Sequence, residues 1–144
     1  MKATGIRRAG DWLPDTAIDE ITLDYDQRHR RRLRFTAASG TEIMLDLPDT
    51  VHIRNGDAMV LENGSLIAVH AAPENLLEVK TDDADTLARL AWHLGNRHLA
   101  VQFLPGCLLL LDDHVIAAMI PALGGAVRKI CAPFDPESGA YHHG

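Results

Sequence analysis

Eight histidines are the residues of this chain best suited to chemistry: His29, His52, His70, His93, His98, His114, His142 and His143. Imidazole is a common metal ligand and suits first-row divalent ions. No HExxH-type motif encloses any of them, and neither a nucleophile–base pair nor a glycine-rich phosphate loop accompanies them. A zinc hydrolase, an esterase or a phosphatase is therefore poorly supported. His93-Leu94-Gly95-Asn96-Arg97-His98 sets two imidazoles on either side of a Gly-Asn helix stop. His98, just past that stop, either caps the preceding carbonyls or stands as a ligand, and spacing alone favours the cap. His93 sits on the rim of the helix's apolar stripe and suits a structural hydrogen bond. His114 follows Asp112-Asp113, whose carboxylates raise imidazole basicity and can share a cation; an exposed helix-start residue fits equally well. His142 and His143 are either inert or extra nitrogen donors that fold over an ion. His52 and His70 read as structural, and His29, set among arginines, as solvated.

A lone imidazole does not hold a first-row metal tightly, since such an ion takes about four to six ligands. A two-fold axis passing near His98 would duplicate every ligand without further sequence. The resulting shell, open to water, lets the ion leave again, as a carrier requires and a structural site does not.

Elements must position these residues, and the chain has two grammars. In the first half, Ile21 to Tyr25 alternates like a half-buried strand, and Leu33 to Thr36 pairs with Glu42 to Leu47 across the turn Ala37 to Gly40. Ala58 to Leu61 and Ser65 to Val69 form a second hairpin around Asn63-Gly64. A small β-sandwich or partly open barrel fits. After Ala71-Ala72-Pro73-Glu74 the period changes. Leu76 to Lys80 is a strand, and Asp82 or Asp83 caps a helix carrying Leu87, Leu90, Ala91 and Leu94. Strands follow over Leu99 to Leu104 and Cys107 to Leu111, joined at Pro105-Gly106. Asp112 or Asp113 caps a second helix that Pro121 should kink or shorten and Gly124-Gly125 ends. Ala126 to Cys131 is the last strand. The expected class is α+β: an N-terminal all-β domain (1–73), a ferredoxin-like βαββαβ domain (74–133) with its first and third strands central, and a flexible C-terminal tail (134–144).

Bulk properties agree with a folded, soluble chain. Its 144 residues are 47% hydrophobic but only 5% aromatic, so the core is built from Leu, Ile, Val and Ala. A formal charge of −6 argues against general nucleic-acid affinity. Met1 to Gly10 lacks the apolar stretch of an export signal, and no apolar run approaches the roughly 20 residues of a membrane helix, so a cytoplasmic protein is expected. In a reducing compartment Cys107 and Cys131 read as small buried hydrophobes; no CxxC spacing supports a thiolate pair on a soft metal. The run Arg28-His29-Arg30-Arg31-Arg32-Leu33-Arg34 reads as a solvated hairpin edge or a surface for an acidic partner, not a nucleic-acid stripe. The strands of the second domain carry no stacking aromatics for RNA.

Trp92-His93-Leu94-Gly95-Asn96-Arg97-His98 is similar to the aromatic-HLGNRH signature of the UreE family of urease accessory proteins. Leu45-Asp46-Leu47-Pro48, Asn55-Gly56-Asp57, Ala71 to Val79, Asp113-His114-Val115 and Pro133 to Glu137 extend the likeness over nearly the whole chain. The resemblance implies a non-enzymatic nickel metallochaperone that delivers Ni2+ during maturation of the urease active site, with Zn2+ and Cu2+ as competing ions. It implies a homodimer joined through the second domain, with His98 donated once by each chain and His114 as a secondary site. His142 and His143 match the family's variable His-rich end. The implied partners are the urease apoprotein and accessory proteins, including the GTPase UreG, with the N-terminal domain as the docking part and neither nucleic acid nor membrane bound. Asp112 stands where some members have a second histidine, and the tail holds only two, so capacity should be about one ion per dimer. The alternative is a docking module of the urease activation complex whose metal binding is incidental.

Overall fold

The computed structural model describes residues 1–137; His142 and His143 lie outside them. The chain forms two compact units, Met1–Ala72 and the part from Pro73 onward.

The first unit is one six-stranded sheet in the order β2-β6-β5-β1-β4-β3. Its strands are β1 (Lys2–Arg7), β2 (Asp19–Leu23), β3 (Arg32–Thr36), β4 (Glu42–Asp46), β5 (Ala58–Leu61) and β6 (Leu66–Ala71). Both expected hairpins form: β3 pairs with β4 in the register Leu33↔Leu45, and β5 with β6 around Gly64, whose φ is 86°. The sheet is nearly closed, because Ala38 N donates to Glu20 O at 2.9 Å and Ser39 binds the Asp19 carboxylate, linking the β3–β4 turn to β2. Inward residues alternate most clearly along β4 and β6, and the core is filled by Leu23, Ile43, Leu45, Met59, Ile67 and Val69.

The sequence pattern gives no sign of β1, which runs parallel to β4 and antiparallel to β5 near the sheet's centre. Lys2–Arg7 holds only Ala3 and Ile6 as inward apolar side chains, with Gly5 between, so period-2 alternation is nearly silent.

The basic run also differs from a wholly solvated edge. Arg28 is fully buried, donating from Nε to Leu23 O at 3.1 Å and from Nη1 to Ile53 O at 3.2 Å. His29 is half-buried, not solvated. Its ring lies 5.8 Å from Tyr25 and 5.7 Å from the buried His52. The Asn55-Gly56-Asp57 motif is a turn. Asp57, 1% exposed, accepts from Arg8 Nη1 at 2.8 Å, Ala9 N at 2.9 Å and Arg54 N at 2.8 Å. Buried carboxylates require such donors.

The second unit comprises β7 (Pro73–Lys80), α1 (Ala84–Asn96), β8 (Gln102–Leu104), β9 (Cys107–Leu111), α2 (His114–Ala122) and β10 (Ala126–Pro133). Sheet order is β10-β7-β9-β8, so the first and third strands of this βαββαβ run are central, as expected. Leu77, Val79, Leu108 and Leu110 pack beneath Leu90, Leu94, Ile116 and Ile120 of the helices. The strand expected from Leu99 begins only at Gln102. Cys107 is buried, but Cys131 is exposed, which corrects its reading as a buried hydrophobe. The two lie on β9 and β10, separated by β7. At the start of the segment read as a tail, Phe134 is fully buried, Asp135 N donates to Gln102 Oε1 at 3.0 Å and Glu137 N to Val101 O at 3.2 Å. No helix among the described residues is long and apolar enough to cross a membrane.

Candidate metal-binding surface

Helix α1 sets the position of His98 from both ends. Asp83 is its N-cap: the carboxylate accepts from Thr86 N at 3.2 Å and Thr86 Oγ1 at 2.6 Å. These bonds hold the Asp83 carboxyl below its ordinary range. Leu90 and Leu94 anchor the buried face. The C-terminus differs from the expected Gly-Asn stop, since Gly95 and Asn96 are both still helical and Arg97 is the C-cap. The left-handed residue that ends the helix is His98, at φ 58°, the one non-glycine residue with positive φ among those described. His98 N donates to Gly95 O at 3.0 Å and Leu99 N to Leu94 O at 3.4 Å. This is the paired 5→2 and 6→1 pattern of a Schellman motif, with a histidine in the place where glycine is usual.

Helix α2 ends in the same pattern with the usual residue. Gly124 (φ 92°) donates to Pro121 O and Gly125 N to Ile120 O, both at 3.1 Å. Pro121 falls in the last turn, and the helix stops one residue later. Two like endings, one Gly and one His, isolate the cost of the side chain at residue 98. A non-glycine residue in this conformation costs about 1 kcal/mol or more. The side chain so placed is exposed. It stands at a helix C-terminus, where the macrodipole favours a cation.

The other candidates are distributed. His93 is half-buried and set edge-on to Trp92 at 5.0 Å, while its carbonyl accepts from Arg97 Nη1 at 3.2 Å. His114 is exposed in the first turn of α2, behind the N-cap Asp113, whose Oδ1 accepts from Val115 N at 2.9 Å and Ile116 N at 3.2 Å. Asp112 lies 3.8 Å from Lys129 Nζ. Burial raises the Cys107 thiol above its ordinary range, away from ligand behaviour. Among the described residues no three His, Cys, Asp or Glu side chains are grouped to hold a metal. His98 and His114 are both exposed imidazoles, one past the end of α1 and one in the first turn of α2, and His142 and His143 fall outside the described residues.

Several large apolar side chains of this unit reach solvent. Trp92 is 64% exposed, as are Val115 at 63% and Phe103 at 51%. The signal was present, since Trp92 lies off the Leu87, Leu90, Ala91 and Leu94 stripe of its own helix.

The chain matches two family models end to end: UreE urease accessory protein, N-terminal domain, over residues 3–72, and UreE urease accessory protein, C-terminal domain, over residues 74–144. It is similar to a urease accessory protein UreE of Bradyrhizobium sp. (strain ORS 278), 50% identical over 98% of this chain and 67% of that one. The relative of that name from Rhodopseudomonas palustris (strain HaA2) is 52% identical over 98% of this chain and 65% of its own length. That from Rhodobacter capsulatus is 46% identical over 99% and 88%. The chain thus spans about two thirds of the length of the first two relatives. Matched in both of its units and along nearly all of its length, the chain belongs to the UreE urease accessory protein family.

Proposed function

We propose that this protein is a non-enzymatic, cytoplasmic nickel carrier that delivers Ni2+ during urease maturation. The observation that carries the reading is His98: an exposed imidazole held at a helix C-terminus in a backbone conformation that disfavours any side chain. A position that costs stability yet keeps a ligand-type residue is what a functional site looks like. With no three-ligand cluster among the described residues of one chain, binding calls for a second copy. The exposed Trp92, Phe103 and Val115 of the same unit supply apolar surface for such a homodimer. Two His98 rings related by the axis form the primary site. His114, His142 and His143 are secondary donors. The cage stays accessible to water, so the ion can pass to the urease apoprotein through accessory proteins, the GTPase UreG among them.

Calorimetric titration of nickel into the wild-type chain and His98→Ala, with mass measured by light scattering, tests this. About one ion per dimer is expected for the wild type, with at least a tenfold loss of affinity in the variant. Affinity should also fall below about pH 6, where protons compete for imidazole nitrogen. Unchanged affinity in His98→Ala, or a pH-independent one, would reject the site. Wild-type urease activation by His98→Ala would instead favour a docking module with incidental metal binding.

A further inference from the structure

Beyond metal carriage, the first unit carries a surface whose charge runs against that of the chain. Edge strand β3 and its neighbours β4 and β1 form a shallow depression of about 450 Å3 lined by Lys2, Arg32, Leu33, Arg34, Met44 and Asp46. Register explains the grouping, because Arg32 lies opposite Asp46, Arg34 opposite Met44, and Lys2 beside Met44 from the other side. Two of the three cations share the one carboxylate: Asp46 lies 3.5 Å from Lys2 Nζ and 3.3 Å from Arg32 Nε. Arg34 is exposed and forms no ion pair among the described residues. In a chain of charge −6 this is a local excess of positive charge over a partly apolar floor.

Although the turn after β3 is tied to β2, no ladder bonds among the described residues run along the outer edge of β3 itself. β3 ends the strand order, and only the turn beyond it reaches β2, through Ala38 N. The β4 ladder uses Arg31, through Leu47 N at 2.8 Å, and Ala37, through Thr41 O at 2.9 Å. Antiparallel alternation then gives Leu33 and Phe35 to that ladder and turns the backbone groups of Arg32 and Arg34 to the unpaired edge. The residues with unused backbone groups are the same two that carry the guanidinium groups.

We propose that this edge takes up an extended acidic segment of a partner protein, added as a strand along β3 with its carboxylates on Arg32 and Arg34. Main-chain bonds give such strand addition its affinity and alternate side chains its specificity. Guanidinium groups bind carboxylates in a two-pronged geometry. A second copy of this chain is the wrong occupant, because it would set arginines against arginines.

The test is fluorescence anisotropy of a labelled peptide of alternating glutamate and valine added to the full chain. Binding should be present at low salt and weaken at high salt. It should drop at least tenfold in both Arg32→Glu/Arg34→Glu and Arg32→Gln/Arg34→Gln, and stay unchanged in Arg89→Glu, an exposed cation on α1. The charge-reversed double variant should instead bind a lysine–valine peptide. If that variant fails to fold, the glutamine pair decides. The proposal is overturned by absence of binding, by equal affinity in the glutamine pair, or by tighter binding of single-stranded DNA or phosphatidylserine vesicles than of the acidic peptide.

Discussion

His98 shows how a functional side chain is visible as a departure from the rule its neighbours obey. Both helices of the second unit close with the same pair of backbone bonds, and only α1 does so without glycine. His98→Gly should therefore stabilise the second unit by about 1 kcal/mol while weakening nickel binding at least tenfold, and His98→Ala should weaken binding as much without the gain, because alanine is equally strained there. Chemical denaturation of the two variants, read beside their nickel titrations, checks this; equal stability of the two would mean that residue 98 is unstrained. The residue type was legible in the sequence, as was its exposed position past a helix end. Its conformation was not, because Gly95-Asn96 looks like the stop and only the hydrogen bonds show the helix passing through both. Arg28 failed in the opposite direction. A cation in a run of cations reads as solvated, and nothing in the run announces that the carbonyls of Leu23, five residues back, and Ile53, 25 residues on, will take it inside.

Helices and strands were read best where a cap or a turn marks them. Asp83 and Asp113 start their helices where an acidic residue precedes an apolar period, and Gly64 turns its hairpin. β1 was missed because a strand paired on both sides needs no alternation of its own once its neighbours supply the core. Packing between elements yields two predictions. At Gly125 an added Cβ would come within 2.8 Å of Ile120 Cγ2 and 2.9 Å of Leu90 Cδ1. Gly125→Ala should thus cost about 1–3 kcal/mol through overpacking of α1 and α2 at the start of β10, measured by urea unfolding. An unchanged midpoint would show that the helices yield freely. Across β7 and β10, Arg128 Nε lies 2.7 Å from Glu78 Oε1 and holds that carboxyl below its ordinary range. A carboxyl that is the stronger acid when folded stabilises the fold above its unfolded value, near about 4.3, and that contribution fades as pH falls through the lower folded value. The stability lost by the wild type between about pH 5 and strongly acid conditions should be smaller in Glu78→Gln. Parallel acid curves for the two proteins would remove the pair from the account.

At the scale of the whole molecule, the change from period-2 alternation to alternating helices and strands marked two kinds of architecture. Each keeps its own core, one built from strands alone and one from a sheet under two helices. The ferredoxin-like order follows from element sequence and handed connections, which is why it could be read in advance. Closure of the first sheet could not, since it depends on the Ala38 and Ser39 bonds to β2, between residues far apart in the chain. Between β6, which ends at Ala71, and β7, which begins at Pro73, only Ala72 stands outside a strand, and its N–H is given to Leu23 O at 2.8 Å. A protease needs several residues of unpaired, extended chain to seat a bond for cleavage, and such chain is found at loop tips rather than in hydrogen-bonded strands. Brief digestion with subtilisin, whose broad specificity does not require a lysine or arginine in this stretch, followed by mass spectrometry, should accordingly leave residues 68–76 uncut and nick the chain elsewhere first. Liberating either half as an independent fragment would then call for a genetic cut, because enzymes will not find the seam.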